Sequence, residues 1–160
     1  MDDIFSNIIN KLTQNCFLAI IGHSLGGVNS IHLARILSER GHKPDFLITL
    51  DPVGTGEGIR LISKIPFITY SKRGVGQWIN VKAFQKSVVD WDQSDYIAWA
   101  GGQYSPAVWN NVKKDKNSPD INVSMLCHHL DPEKMFGKPI VGGRSAFNML
   151  TEKMKIYFEG

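Results

Sequence analysis

A run of apolar residues that leads directly into a serine framed by glycines constrains the fold of this chain more than any other stretch. Residues 17–21 (Phe-Leu-Ala-Ile-Ile) have the length and continuous apolar character of a buried strand, and residues 22–27 (Gly-His-Ser-Leu-Gly-Gly) follow at once. Apolar residues then recur at helical spacing as far as Leu37, and Gly41 is a natural helix stop. We therefore predict a strand, a sharp turn and a helix.

The turn itself makes Ser24 a candidate nucleophile. Gly22 and Gly26 have no Cβ atoms, so the backbones can approach closely where the strand reverses into the helix. Such a turn lifts the Ser24 hydroxyl out of the sheet and leaves the Leu25 N–H at a helix N-terminus, where it can face a developing oxyanion. The structural alternative is a tight turn that carries an ordinary serine.

Length and composition indicate one ordinary globular domain. The chain has 160 residues, of which 42% are hydrophobic and 21% charged, so we expect residues 1–160 to form a single domain with its own core. The net charge of +3 is too small to favour nucleic acid as a partner. The N-terminal Met-Asp-Asp is unlike a secretory signal, and no apolar run is long enough to span a membrane. Cys16 and Cys127 have no metal-ligand spacing, so we expect cytoplasmic, reduced thiols.

Strand-like and helix-like segments alternate along the chain. Strands are predicted at 16–21, 46–50, 78–84 and 121–126, and helices at 2–14, after Ser24 and at 145–158. This order indicates the α/β class, with a mostly parallel sheet of about four strands and flanking helices. Residues 54–77 are expected to form an insertion at the carboxyl edge of the sheet, either as covering loops or as a lid, and residues 85–120 to be irregular.

Other polar residues follow predicted strands in the same way as Ser24. Asp51 comes directly after the strand 46–50, and His128 and His129 follow the strand 121–126. Because the carboxyl ends of parallel strands share one edge of a sheet, these residues can converge. A serine needs an imidazole to take its proton, and a carboxylate orients the imidazole and stabilises the imidazolium. We predict a catalytic triad of Ser24, Asp51 and a histidine at 128 or 129.

The same residues resemble a known family. Residues 22–27 resemble the nucleophile elbow of α/β-hydrolase fold lipases, esterases and thioesterases, which share the chain order serine, acid, histidine. Leu50-Asp51-Pro52 resembles the pancreatic-type lipases, whose catalytic aspartate holds that early position, and His129-Leu130-Asp131 is similar to the segment around their catalytic histidine. The resemblance therefore implies a triad of Ser24, Asp51 and His129, with His128 as the alternative base. Many members of the wider fold carry the acid one strand later, which leaves Asp90, Asp92 and Asp95 as alternatives.

The resemblance covers only the C-terminal half of the family fold. In the family, several strands precede the elbow strand, and a loop after an early strand supplies a second oxyanion donor. This chain has room for one helix there, so we expect either a fragment of a longer protein or an elbow strand with an open edge at 17–21. Such an edge favours pairing with a second copy or with a separate N-terminal half.

The resemblance implies a serine hydrolase that cleaves a carboxylic ester or thioester of a lipid-like small molecule through an acyl-enzyme, with no metal or organic cofactor. Loss of the second oxyanion donor typically costs on the order of 10²–10³ in turnover. The alternative is therefore a catalytically weak or inactive binding module. The basic and apolar segment 59–73, with Lys64, Lys72 and Arg73, is a candidate for peripheral contact with a membrane surface.

Overall fold

The computed structural model describes residues 16–54, 74–102 and 118–160, together with residues 7, 11 and 12. Its strands are β1 (Ala19–His23), β2 (Phe46–Leu50), β3 (Gln77–Phe84) and β4 (Ile121–Leu126). Its helices are α1 (Leu25–Glu39), α2 (Gln93–Gly102), α3 (Pro132–Gly137) and α4 (Ala146–Glu159), and a short 3-10 helix spans Val88–Asp90. The apolar runs of the sequence thus form strands, although β1 begins at Ala19 rather than Cys16 and includes Gly22 and His23.

The described strands form one sheet in the order β1-β2-β3-β4, and every neighbouring pair is parallel. All five residues of β2 are buried, as is typical of a strand in a parallel sheet that is covered on both faces. The prediction of an α/β fold, with a parallel sheet and flanking helices, is confirmed. Because the strands run in the same direction, the residues that follow β1, β2 and β4 lie at one edge of the sheet.

The sheet separates two apolar layers. One layer is made by α1 and the facing side chains of the strands, with Ile31, Ala34 and Leu37 against Ile20, Leu47 and Trp78. The other is made by α3 and α4, with Met135, Met149 and Leu150 against Phe46, Ile48 and Ile79. Successive residues of β2 therefore pack into opposite layers, and this alternation fixes which way each strand end faces.

A row of polar side chains crosses the sheet within the α1 layer. The strand register places Thr49 beside Asn80, and Asn80 beside Asn122. The Thr49 hydroxyl donates to Asn80 Oδ1 at 2.7 Å, and Asn80 Nδ2 donates to Asn122 Oδ1 at 2.8 Å. Trp78 Nε1 donates to Thr49 Oγ1 at 3.0 Å. A shift of one residue in register would leave these buried groups unpaired, so the row helps to specify how β2, β3 and β4 align.

The prediction that residues 85–120 are irregular is wrong for the part that the structure describes, which contains the 3-10 helix and α2. The Asp92 carboxylate accepts hydrogen bonds from the N–H groups of Ser94 and Asp95, and so caps the first turn of α2. Exposed apolar side chains such as Ile97 and Trp99 obscure any apolar face on this helix. Its periodicity is therefore too weak to reveal it, and the cap is the better signal.

Several predicted features lie outside the described residues. They include most of the helix at 2–14, residues 55–73 of the insertion predicted at 54–77, with Lys64, Lys72 and Arg73, and residues 103–117. Among the described residues, none of the helices combines the length and the apolar content that a membrane span requires.

We expect Thr49→Val to lower the free energy of unfolding by roughly 1–3 kcal/mol, because it leaves the buried indole N–H of Trp78 and the side-chain oxygen Oδ1 of Asn80 without the Thr49 hydroxyl as a partner. Urea unfolding measures this loss. Thr151→Val is the matched control, since the Thr151 hydroxyl bonds only to carbonyl groups of its own helix, and its effect should stay below about 0.5 kcal/mol. Equal effects of the two substitutions would contradict the role of the polar row.

Candidate active site

Three residues from distant parts of the chain meet at the carboxyl edge of the sheet. Ser24 follows β1, Asp51 follows β2, and His129 lies in the turn after β4. His129 Nε2 lies 2.9 Å from Ser24 Oγ, and His129 Nδ1 lies 2.7 Å from Asp51 Oδ2. These are hydrogen-bond distances on both sides of one imidazole ring, so the three side chains form a continuous chain from hydroxyl to carboxylate.

The hydrogen-bond partners determine where the proton of the imidazole sits. The Asp51 carboxylate can only accept, so His129 Nδ1 carries the hydrogen that bridges to it. Nε2 is then the unprotonated nitrogen and accepts from the Ser24 hydroxyl. This is the arrangement in which a histidine can take the proton of a serine when the serine attacks an electrophile.

Burial strengthens this arrangement. Asp51 is 7% exposed and His129 is 5% exposed, so the interaction between them is screened little by water. The Asp51 N–H donates to the carbonyl of Val81 on β3, which anchors the aspartate to a second strand. The carboxylate is thus held in a fixed position by the sheet, where it can orient the ring and stabilise an imidazolium.

The turn at Ser24 has an unusual backbone. Ser24 has φ 56° and ψ −128°, outside the conformations that a residue with a side chain normally adopts. Its N–H donates to the Leu50 carbonyl at 3.1 Å, and its own carbonyl accepts from Val53 and Gly27. Hydrogen bonds to the end of β2 and the residues after it, and to the first turn of α1, therefore hold the serine in this strained conformation.

Asp51 also has a positive φ, of 41°, and within the described residues Ser24 and Asp51 are the only residues other than glycine for which this is so. Such conformations cost of order 1–3 kcal/mol each and persist where the surrounding structure imposes them, often at functional sites. That both fall within one hydrogen-bonded group of three residues favours a functional reason for the group.

The two glycines of the motif differ in what they permit. A Cβ on Gly22 would lie 2.3 Å from the Gly26 carbonyl oxygen and 2.1 Å from Ser30 Oγ, so only glycine fits there. A Cβ on Gly26 would meet nothing within 4 Å, so the expectation that Gly26 also relieves a clash is wrong. The close approach involves the backbone of Gly26 but not the space where its side chain would be.

Leu25 is the first residue of α1, and its N–H has no carbonyl partner within the helix. This group lies at the positive end of the helix dipole and directly follows Ser24, which is the placement expected of an oxyanion donor. The predicted nucleophile, Ser24, and the predicted oxyanion donor, the Leu25 N–H, are thus neighbours at the N-terminus of α1.

The structure places the alternative residues around His128 rather than around the His129 ring. His128 Nδ1 donates to Asp95 Oδ2 at 2.7 Å, and Asp92 Oδ2 lies 4.0 Å from the same nitrogen. Asp90 is exposed at the end of the 3-10 helix. Of the histidines that the sequence leaves open, His129 contacts the Ser24 hydroxyl, and of the acids, Asp51 contacts the ring of His129.

The charges of this second group are set by its hydrogen bonds. Burial alone would raise the pKa of Asp95, but hydrogen bonds from the His129 N–H, from His128 and from the Asp92 N–H outweigh it and hold this pKa below its usual value. The hydrogen bond to Asp95 is the main reason that the pKa of His128 is raised. Asp95 is therefore a buried carboxylate, kept ionised by the groups around it.

Two other candidates for chemistry lie nearby. Asp92, Asp95 and His128 place one ligand atom each within 4.8 Å of one another, which makes them the group that could hold a metal ion in the described part of the chain. His128 Nδ1 carries the hydrogen that bonds to Asp95 there, so in this arrangement that nitrogen has no lone pair to offer a metal ion. Burial raises the pKa of the Cys127 thiol to about 11, so Cys127 is neutral at neutral pH and a poor nucleophile.

His23 and Asp95 have contacts that sequence reasoning does not reveal. Both bond to the main chain of His129, and the sequence offers Asp95 only as an alternative acid. Their partners are more than 30 residues away along the chain, and no local pattern encodes such contacts. The capping signal at Asp92 is the one feature that could have placed Asp95 in the first turn of a helix.

No family model, curated protein or solved structure matches this chain. The chemistry of the site is therefore inferred from its own residues: a hydroxyl hydrogen-bonded to an imidazole, an imidazole with a defined tautomer, a buried carboxylate and an N–H at a helix end.

We expect Gly22→Ala to destabilise the protein by roughly 3 kcal/mol, at the upper end of the usual cost of overpacking, because its Cβ collides with backbone. Gly26→Ala is the matched control within the same motif and should be neutral or stabilising by about 0.5–1 kcal/mol, since alanine is the better helix residue. Thermal and urea unfolding measure both. A Gly22→Ala protein as stable as Gly26→Ala would contradict the close approach of the backbones.

Proposed function

We propose that this protein is a serine hydrolase that cleaves a carboxylic ester or thioester through an acyl-enzyme. One observation carries the proposal: Ser24 Oγ, the His129 ring and the Asp51 carboxylate form an unbroken line of hydrogen bonds of 2.9 and 2.7 Å. The strained backbone at both ends of that line supports it. So does the likeness of residues 22–27 to the elbow of α/β-hydrolase fold enzymes.

The first half of the reaction acylates the serine. Ser24 Oγ attacks the carbonyl carbon of the substrate while its proton moves to His129 Nε2, and the Leu25 N–H hydrogen-bonds the oxyanion that forms. Asp51 stabilises the imidazolium through Nδ1. The tetrahedral intermediate then expels the alcohol or thiol, which takes the proton from Nε2, and the acyl group remains on Ser24.

The second half regenerates the enzyme. A water molecule attacks the acyl carbon and gives its proton to His129 Nε2, and collapse of the new intermediate releases the acid and returns the proton to Ser24 Oγ. Every step uses the side chains of the triad, so the chemistry needs neither a metal nor an organic cofactor. We propose a lipid-like ester as the substrate class, following the lipase-like motifs at Asp51 and His129.

The two cysteines bear on where such an enzyme would act. Cys16 and Cys127 are both free thiols, which supports a cytoplasmic, reducing compartment.

A fluorophosphonate probe tests the nucleophile. We expect it to label the wild-type chain and to leave Ser24→Ala unlabelled, because the probe reacts covalently with an activated serine hydroxyl. His129→Ala should slow labelling by about 10²-fold or more, since the hydroxyl loses its base. Ser38→Ala is the matched control, because Ser38 bonds to Ala34 near the other end of α1 and should not affect labelling.

Equal labelling of the wild type and Ser24→Ala would exclude Ser24 as the nucleophile. A folded wild type that neither reacts with the probe nor hydrolyses p-nitrophenyl butyrate would support instead the alternative of a binding module that lacks part of the oxyanion hole.

We also propose that the outer edge of β1 is paired by an additional strand, contributed by a second copy of the chain or by a separate N-terminal half. Ser24 N–H bonds to Leu50, and Phe46 N–H bonds to Leu18. Since the direction of main-chain groups alternates along a strand, those of Ala19, Ile21 and His23 point away from β2. Among the described residues no strand pairs with them, and Ile21 is 46% exposed. An open apolar edge of this kind favours strand pairing.

Sedimentation and amide exchange test this pairing together. If a second copy covers the edge, the chain sediments as an oligomer, Ile21→Lys makes it monomeric, and Leu126→Lys, an exposed residue on the opposite edge strand, does not. If a separate half covers it, the chain is a monomer whose Ile21 amide exchanges quickly. A monomer at micromolar concentration with slow exchange at Ile21 would contradict the proposal, because the edge would already be paired within the chain.

A further inference from the structure

His129 is held by its main chain as well as by its ring. Its N–H donates to Asp95 Oδ1 at 2.8 Å, and its carbonyl accepts from His23 Nε2 at 2.7 Å. The two side chains come from different elements, since His23 ends β1 and Asp95 lies in the first turn of α2. His129 itself lies in a turn, where no strand ladder or helix fixes its backbone.

We infer that His23 and Asp95 are positioning residues that together clamp the main chain of the catalytic base, an inference that rests on the proposed function. Their hydrogen bonds go to the main chain of His129 and not to its ring nitrogens or to the Ser24 hydroxyl. Their contacts instead fix the point from which the His129 ring projects toward Ser24 and Asp51. We call the two contacts the main-chain clamp.

The burial of Asp95 supports this assignment. Asp95 is 7% exposed, and a carboxylate that deep in the protein is costly unless it is fully hydrogen-bonded. Its oxygens accept from the His129 N–H, from His128 Nδ1 and from the Asp92 N–H. A group with this many partners is rigid, and a charged acceptor makes the bond to the His129 N–H stronger than one to a neutral acceptor.

The position of His23 supports it from the other side. A carbonyl can only accept, so His23 Nε2 carries the hydrogen that bonds to His129. The rings of His23 and His129 also contact each other, with centroids 4.7 Å apart. His23 directly precedes Ser24 in the chain, so this contact ties the segment of the nucleophile to the segment of the base independently of the Ser24 hydroxyl.

Geometry explains why such a clamp matters. A displacement of about 1 Å at a reacting group costs roughly 10²-fold in rate, even when its cause lies away from the chemistry. The ring of His129 must meet Ser24 and Asp51 at hydrogen-bond distance at the same time, and rotation of the side chain alone cannot correct a shifted main chain. The clamp removes that freedom before the substrate binds.

Paired substitutions at His23 provide the test. His23→Leu removes the donor, whereas the amide nitrogen of His23→Gln can take the place of Nε2. With p-nitrophenyl butyrate as the substrate, we expect His23→Leu to lower kcat about 10- to 100-fold with little change in KM. We expect His23→Gln to restore most of the activity. Asp95→Ala should resemble His23→Leu, and Asp95→Asn, which keeps an acceptor oxygen, should lose less. His42→Leu, beyond the end of α1, is the control and should match the wild type.

Proton NMR gives a readout that does not depend on activity. The Nδ1 proton shared by His129 and Asp51 should give a downfield resonance in the wild type, in His23→Gln and in Ser24→Ala. It should broaden or move in His23→Leu and Asp95→Ala. If kcat and this resonance are the same in a folded His23→Leu protein as in the wild type, the proposal of a main-chain clamp is contradicted.

If the wild type shows the resonance but does not hydrolyse p-nitrophenyl butyrate, the hydrolase proposal fails. The change in the resonance between the wild type and His23→Leu then tests the main-chain clamp without an activity assay.

Discussion

The close approach of two backbone segments at Gly22 is the constraint on which the site depends. The carbonyl of Gly26 lies where a side chain at residue 22 would begin, and Gly27 packs against Pro52 just beyond Asp51. These contacts bring the turn after β1 against the turn after β2. They leave Ser24 with a φ of 56°, a conformation that an isolated peptide would avoid. The strain at the serine thus accompanies the packing that brings it near the aspartate.

The parallel sheet then supplies the third residue. His129 is separated from Ser24 by 105 positions in the chain, yet both follow strands whose carboxyl ends share one edge. The polar row from Thr49 to Asn122 helps to align β2, β3 and β4, and the side chains of His23 and Asp95 hold the turn that carries the histidine. The strand alignment and the held turn together restrict where the imidazole ring of His129 can lie.

The sequence makes some of this predictable and leaves the rest hidden, for physical reasons. A continuous apolar run identifies β2 closely, alternation of apolar and polar residues identifies β4, and the glycine-framed serine identifies the turn at Ser24, because these patterns reflect local geometry and burial. The order of polar residues after strands is enough to nominate Ser24, Asp51 and a histidine at 128 or 129. It cannot separate His128 from His129, or Asp51 from Asp95, since both choices depend on which way a side chain points. Contacts such as that of His23 with the His129 carbonyl arise only from the tertiary fold.

The fate of the oxyanion decides how effective this site can be. A crystal structure of the chain after reaction with diethyl p-nitrophenyl phosphate is the most direct measurement, because the phosphoryl group mimics the tetrahedral intermediate. We expect a covalent bond from phosphorus to Ser24 Oγ, and an intact hydrogen bond between His129 and Asp51. The phosphoryl oxygen should lie about 3 Å from the Leu25 nitrogen. A chain that forms no adduct at Ser24, or whose adduct turns its oxygen away from the start of α1, would contradict the account.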